Sequence, residues 1–335
     1  MLKSLDIALK YAFSRFWTHK PVILTHSVTS KCNCECKICD VWRKKNCTNE
    51  MSTCEIFQML NEAKKLNFVS YVVWGGEPLL RSDMLDILQY AHELNLYTSI
   101  ITNGVNLAEK ARRIVETVDL IWVSLDHYSD YHDEMRGRNG SFKKAVEGIT
   151  RLRREGGRVA INCVLSRLNM DVVGKMADFA QKLGVKIAFD PMEVFQGCNE
   201  EYALTSNERR RFFSEILKFK RQGYPILNSQ EYLEHLTSNS KYFCAQPQIF
   251  IKVTENGKVI PFWCKKNFKV IGDLRKQSLR EIISSPLFSE FAEKAKGCCL
   301  CKNSSTVEAS LFYSFIPLKY NKWNNAYVKF ISDYA

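Results

Sequence analysis

The feature that most restricts how this chain can fold is a regular alternation of strand-like and helix-like segments between Val22 and Asp190. Short, β-branched, apolar runs fall at residues 22–28, 71–74, 97–102, 120–125, 159–165 and 185–189. Between and after them lie segments of helical periodicity, at 83–94, 107–118, 141–155, 171–183 and 207–220, with a further helix starting near Ser52, where Ser52 and Glu55 form a capping box. Consecutive parallel strands need a crossover, so this pattern predicts a parallel sheet with helices packed outside it. Six units stop short of a closed (β/α)8 barrel. The expected fold is therefore α/β, a partial (β/α)6 barrel, and a doubly wound sheet satisfies the same pattern.

The pattern changes after Tyr242. Residues 249–253 and 258–262 flank Glu255-Asn256-Gly257, a strong hairpin signal. Ser278 and Glu281 then cap a short helix. Cysteines bracket this unit, which predicts a small α+β domain stapled by metal rather than by a core of its own. The expected organisation is an amphipathic helix over 1–20, the barrel over 21–240, the metal-stapled domain over 241–303 and an aromatic tail over 304–335.

The 13 cysteines are unevenly placed. Cys32, Cys34, Cys36 and Cys39 share one loop, Cys298, Cys299 and Cys301 another, and Cys244 and Cys264 stand between. No secretory signal is evident, because Asp6, Lys10, Arg15 and Lys20 interrupt any apolar core at the start, and no apolar run reaches the length of a spanning helix. A cytoplasmic setting follows, and clustered cysteines there point to metal rather than to disulfides. Cys32, Cys36 and Cys39 give C-x3-C-x2-C directly after the first strand, a spacing suited to an iron–sulfur cluster. Three thiolates leave one iron open for a ligand. A zinc knuckle or a conventional electron-transfer cluster fits the same three residues.

With this loop and the turns that end the next three strands, the chain resembles the radical S-adenosylmethionine (SAM) superfamily. The second strand ends in Gly75-Gly76-Glu77-Pro78, similar to the family's GGEP motif, the third in Thr102-Asn103-Gly104 and the fourth in Ser124-Leu125-Asp126. The resemblance implies a [4Fe–4S] cluster on Cys32, Cys36 and Cys39. It also implies that Glu77 and the backbone of Gly75 and Gly76 hold the SAM amino group, a charge-assisted contact for a carboxylate. By the same resemblance Thr102 and Ser124 lie near the ribose or methionine portion, the backbone of Ile38 lies near adenine, and the Arg136 guanidinium meets the SAM carboxylate. His127 stands where the family often has glycine, and Cys34 falls outside the motif and reads as a non-ligand.

Cys244, Cys264, Cys298 and Cys301 form a second set, in a stretch that resembles the SPASM or twitch appendage of the same superfamily. No cysteine follows Cys301, so one four-thiolate cluster is expected there, a second [4Fe–4S] centre without an open iron. A structural zinc site uses the same ligands, and Cys299 could replace Cys298.

The activity implied by the resemblance is reductive cleavage of SAM and hydrogen abstraction from an unactivated C–H bond, with an electron donor such as ferredoxin or flavodoxin. Residues 1–20 place Leu5, Leu9, Ala12, Phe13 and Phe16 at helical spacing beside lysines, and residues 312–335 hold eight aromatics, among them Phe312, Trp323 and Tyr334. With a net charge of +12, these segments favour a long apolar, anionic substrate such as a membrane lipid, C–C bond formation on it, and peripheral membrane contact. A peptide-modifying enzyme is the alternative, and a non-catalytic iron–sulfur electron carrier is the alternative of another class. Lys and Arg form no dense stripe interleaved with aromatics, so nucleic acid is not an expected partner.

Overall fold

The computed structural model describes residues 10, 14–43, 49–195, 197–238, 240–261 and 269–315. Six strands, β1 (Ile23–Ser27), β2 (Ser70–Trp74), β3 (Tyr97–Thr102), β4 (Leu120–Ser124), β5 (Val159–Leu165) and β6 (Lys186–Pro191), alternate with helices as the sequence predicts. Each pairs in parallel with the next, so the sheet runs β6-β5-β4-β3-β2-β1.

Period-two alternation decides which side chains meet the helices. Leu24, Tyr71, Val73, Ile100, Ile121, Val123 and Ile161 join the main core, with Ile56 and Leu60 of the helix Thr53–Lys65 and Ala145 and Ile149 of Ser141–Arg154. Their strand neighbours Ser27, Trp74, Ser124 and Asn162 consequently project from the opposite face. The two capping boxes read from sequence, Ser52/Glu55 and Ser278/Glu281, both form. A third, Thr205/Glu208, starts the helix Ser206–Arg221.

The C-terminal unit differs from its expectation in one respect. Its hairpin strands β7 (Phe250–Val253) and β8 (Lys258–Ile260), with the short β9 (Gly272–Asp273), extend the barrel sheet to nine strands, because β7 lies parallel to β1 with Thr25 opposite Lys252. Val259, Ile271, Ile282, Phe288 and Val307 therefore belong to the same apolar cluster as the barrel residues. The unit is built onto the barrel core and does not rely on metal alone.

The first twelve residues of the expected tail form a helix, Ser304–Phe315, that packs back on the protein. Ala309 and Tyr313 close a small apolar cluster with Val22, Ile23, Val69, Ala245 and Ile249. Residues 316–335 lie outside the described residues, as do most of those expected to form the N-terminal amphipathic helix; Ser14–Thr18 make a single turn of π-helix with Phe16 and Trp17 exposed. Among the described residues no helix is long and apolar enough to cross a membrane.

Candidate active site

The cysteine loop follows β1 and is clasped from both sides. On one side the chain after β2 approaches so closely that Gly76 N–H donates to the Thr29 carbonyl (2.7 Å) and Glu77 N–H to that of Lys31 (2.8 Å). A Cβ on Gly76 would sit 2.1 Å from the Lys31 oxygen, and one on Gly75, whose φ is +135°, 2.5 Å from the Thr29 oxygen. The paired glycines are thus required by contact between two loops of the protein itself, beyond any approach to a ligand. On the other side Lys37 N–H donates to the Met135 carbonyl (3.0 Å) and Arg138 Nη1 to that of Asn33 (2.6 Å). Gly137 ends the helix Tyr131–Arg136 in the left-handed region, and a Cβ there would lie 2.5 Å from the Glu35 oxygen.

Held this way, Cys32, Cys34, Cys36 and Cys39 pack in one cluster with Val105. Burial pushes the Cys36 thiol up and that of Cys39 up to about 11, whereas a hydrogen bond from Cys34 brings Cys32 down to about 6. Iron ligation would ionise such thiols outright. Three soft sulfur donors converging in a half-buried loop fit an iron–sulfur cluster. Cys34, set aside as a ligand by its spacing, is buried beneath Asn103, whose Nδ2 reaches its sulfur at 3.4 Å and Asn33 Oδ1 at 2.7 Å.

Glu77 is fully buried and accepts three hydrogen bonds, from Leu79 N–H (3.0 Å) and Thr102 Oγ1 (2.8 Å) on Oε1 and from Asn103 N–H (2.7 Å) on Oε2. Burial raises its pKa to about 7, and those donors limit the rise. Four lone-pair directions less three donors leave one acceptor position for a ligand. Thr102 is engaged with Glu77 and with Gly104 N–H (3.1 Å), while Ser124 is half-buried on the face opposite the helices. The Arg136 guanidinium lies between Asp126 Oδ2 (2.7 Å) and Cys36 Sγ (3.9 Å). Burial alone would lower its pKa, but the Asp126 carboxylate and the Cys36 sulfur hold it above the ordinary value. Ile38 is buried, and its carbonyl accepts from Asn199 Nδ2 (2.9 Å). His127 folds onto Ser129 through Nδ1 (2.8 Å) and stacks on Tyr128.

Four cysteines of the C-terminal unit lie around Tyr242. Cys244, Cys298 and Cys301 are buried, and Cys299 is half-buried. The Tyr242 phenol donates to the Cys301 carbonyl (3.4 Å), and its pKa is driven up by burial and by the charge of Cys301, Cys244, Cys298 and Cys299 around it. Cys264 lies outside the described residues.

Residues 26–180 match the model of the Radical SAM superfamily, and residues 244–303 that of an iron-sulfur cluster-binding domain, SPASM. Residues 26–180 are thus a radical SAM domain, followed by a SPASM domain. A radical SAM enzyme of this composition takes a [4Fe–4S] cluster, SAM and auxiliary iron–sulfur as its cofactors. Curated relatives include an AdoMet-dependent heme synthase of Methanosarcina barkeri, 28% identical over 50% of this chain and 49% of the relative. The chain thus spans about half the length of that protein. A PqqA peptide cyclase of Gluconobacter oxydans is 26% identical over 81% of this chain and 79% of its own length. Among solved structures, SuiB of Streptococcus suis bound to S-adenosylmethionine superposes with a TM-score of 0.71 at 16% identity, over 90% of this chain and 75% of that one. AnSMEcpe with bound AdoMet gives 0.69 at 19% identity, over 83% and 84%. At these identities the superpositions establish a shared fold. The radical SAM partial barrel and its C-terminal domain therefore stand as the sequence predicted.

Sequence reasoning missed three groups at this candidate site. Asn103 sat inside a recognised motif, but its side-chain contacts to Asn33 and Cys34 had no sequence signal. Asp126 likewise closes a motif without revealing its pairing to Arg136. Asn199, fully buried against Ile38, lies 161 positions from its partner and left no trace in the local pattern.

Proposed function

We propose that the protein cleaves SAM reductively at the loop of Cys32, Cys36 and Cys39 and uses the radical to take hydrogen from an unactivated carbon. The observation that carries this is the convergence of those thiols beside Glu77 and Arg136, with the loop clasped by the motifs that follow β2 and β4. When bound, a reduced [4Fe–4S] cluster supplies one electron to SAM, giving methionine and a 5′-deoxyadenosyl radical. The chain's own contribution is placement. Glu77 offers its remaining acceptor position to the SAM ammonium, and Arg136 offers a guanidinium to the carboxylate. The Ile38 backbone would lie near adenine, and Ser124 and Thr102 near the ribose or methionine portion. Cys244, Cys264, Cys298 and Cys301 hold the auxiliary cluster. A one-electron protein donor of the ferredoxin or flavodoxin class supplies the reductant.

For the substrate we put a peptide first. Two peptide cyclases match over 81% of this chain, against 70% for an Fe-coproporphyrin III synthase and 50% for the heme synthase. The lipid reading, with radical C–C bond formation and peripheral membrane contact, rests on the two terminal segments, of which Phe16 and Trp17 are exposed at 45% and 70%. All 11 cysteines among the described residues are free of disulfides, which suits a cytoplasmic setting.

The test is anaerobic reconstitution with iron counting and a SAM-cleavage assay. Two clusters give about eight irons by the ligand count, and reduced protein releases 5′-deoxyadenosine. Cleavage by Cys36→Ala at the wild-type rate would overturn the assignment. Peptide capture by the holoenzyme supports the first substrate reading, and vesicle flotation that depends on residues 1–20 supports the second.

A further inference from the structure

Residues in the segment between β6 and the helix Ser206–Arg221 make contacts to both cysteine loops. Asn199 organises it. Its side chain is fully buried, and both its amide nitrogen and its oxygen are engaged. Nδ2 donates to the carbonyls of Ile38 and Glu193, each at 2.9 Å, and Oδ1 accepts from Phe195 N–H at 2.8 Å. Glu193 then continues the path through its own side chain, where Oε1 accepts from Asn303 Nδ2 at 2.7 Å. Asn303 lies two residues beyond Cys301. An unbroken line of contacts therefore runs from the carbonyl of Ile38, between two cysteines of the first loop, to a residue just past the last cysteine of the second.

The residues after Cys301 are anchored more widely, which allows the line to be separated from simple docking. The Lys302 carbonyl accepts from the Tyr232 hydroxyl (2.8 Å). Ser304 N–H and Oγ donate to the Asp190 carboxylate (2.7 and 3.0 Å). Both contacts hold the auxiliary loop on the barrel, whereas the Asn303 contact leads on to Ile38 through Glu193 and Asn199. A carbonyl fixed on one side by an amide donor keeps its second lone pair in a set direction. In metal sites, such outer contacts orient the groups that touch the ligand.

We propose that Asn199, Glu193 and Asn303 are positioning residues that couple the SAM-facing backbone of the first cysteine loop to the auxiliary-cluster loop. Order in the C-terminal unit thereby sets how well SAM is held, and by linkage SAM binding steadies the auxiliary loop in return. The inference rests on the reading that SAM lies over the loop of Cys32, Cys36 and Cys39.

The experiment is a double-mutant cycle on SAM affinity, measured by anaerobic titration of SAM into reconstituted protein of matched iron content. The SAM-induced change in the electron paramagnetic resonance signal of the reduced protein is the second readout. Asn199→Ala and Asn303→Ala should each weaken SAM by about 3- to 10-fold, and the double variant should be no weaker than Asn199→Ala alone, the non-additivity expected of a shared path. Tyr232→Phe, which loosens the same loop off the path, should leave SAM affinity within about 2-fold of wild type, as expected for an independent site. Should Asn199→Ala fail to hold iron, Glu193→Ala with Asn303→Ala runs the same cycle one link further on. Unchanged SAM affinity in Asn303→Ala, or an equal loss in Tyr232→Phe, overturns the coupling. Failure of the wild-type protein to bind SAM would instead remove the reading on which it rests.

Discussion

Asp126 and Arg136 form an ion pair at 2.7 Å with side-chain exposures of 0% and 11%, and Nη1 of the same guanidinium faces the Cys36 sulfur at 3.9 Å. The pair thus links the end of β4 to the cysteine loop. Asp126 Oδ1 also accepts from Val164 N–H (2.9 Å), so the same carboxylate ties β4 to β5. Removing one charge of a buried pair leaves the other without compensation, at a cost of about 3–5 kcal/mol. Asp126→Asn should lower the unfolding free energy on that scale in anaerobic urea titrations and reduce iron retention. A stability within about 0.5 kcal/mol of wild type would mean that Arg136 finds an equivalent partner.

Gly76→Ala puts a methyl group 2.1 Å from the Lys31 carbonyl oxygen and 2.7 Å from its carbon, both backbone atoms that cannot swing aside. Relief requires the two loops to separate, and the hydrogen bonds of Gly76 and Glu77 to Thr29 and Lys31 would open with them. The first cluster should then be lost selectively, about four of eight irons, with the second retained. Iron counting after reconstitution reads this directly. Full iron content in the variant would show that the close approach is dispensable.

Local pattern made the barrel legible. β3 (Tyr97–Thr102) and β5 (Val159–Leu165) lie where their β-branched runs put them, and the glycine, serine and asparagine turns after each strand marked the site end of the sheet. What stayed hidden depends on contacts between distant segments. The parallel pairing of β7 with β1 joins strands more than 200 positions apart, and a hairpin signal says nothing of which edge it will extend. The three donors around Glu77 come from two different loops, so its near-complete satisfaction could not be read from the motif. The Asn199 contact to Ile38 is of the same kind: a polar residue in an irregular segment looks exposed until the fold covers it.

Glu308, on the helix Ser304–Phe315, accepts from Ser229 N–H at 2.6 Å. Burial raises its pKa from 4.5 to about 7, the Ser229 contacts oppose the rise, and Asp190 adds to it. The folded protein therefore binds this proton more tightly than the unfolded chain. Below pH 4.5 both states are protonated and the contribution is complete; between 4.5 and about 7 the unfolded chain ionises first, and stability falls. Hydrogen exchange in this helix should be faster at pH 7.5 than at about pH 5.5 after correction for intrinsic rates, and Glu308→Gln should flatten the difference. Equal corrected protection at the two values would exclude Glu308 as the titrating group.

If Glu77 holds the SAM ammonium as proposed, SAM binding has a pH dependence of opposite sense. In the free protein its carboxyl keeps a proton up to about pH 7, because burial outweighs the donors from Asn103, Thr102 and Leu79. An ammonium ligand needs the carboxylate, so below that pH binding must first expel the proton. SAM affinity should accordingly fall by up to about tenfold per pH unit below 7 and level off above it, with a proton released at neutral pH. Isothermal titration in two buffers of different ionisation enthalpy measures both affinity and proton count. Glu77→Gln should bind SAM more weakly, with the pH dependence gone, since the amide can accept a hydrogen bond but holds no charge against the ammonium. A wild-type affinity that does not change between about pH 6 and 8 would show that the ammonium is held elsewhere, leaving Glu77 to brace Thr102 and Asn103 alone.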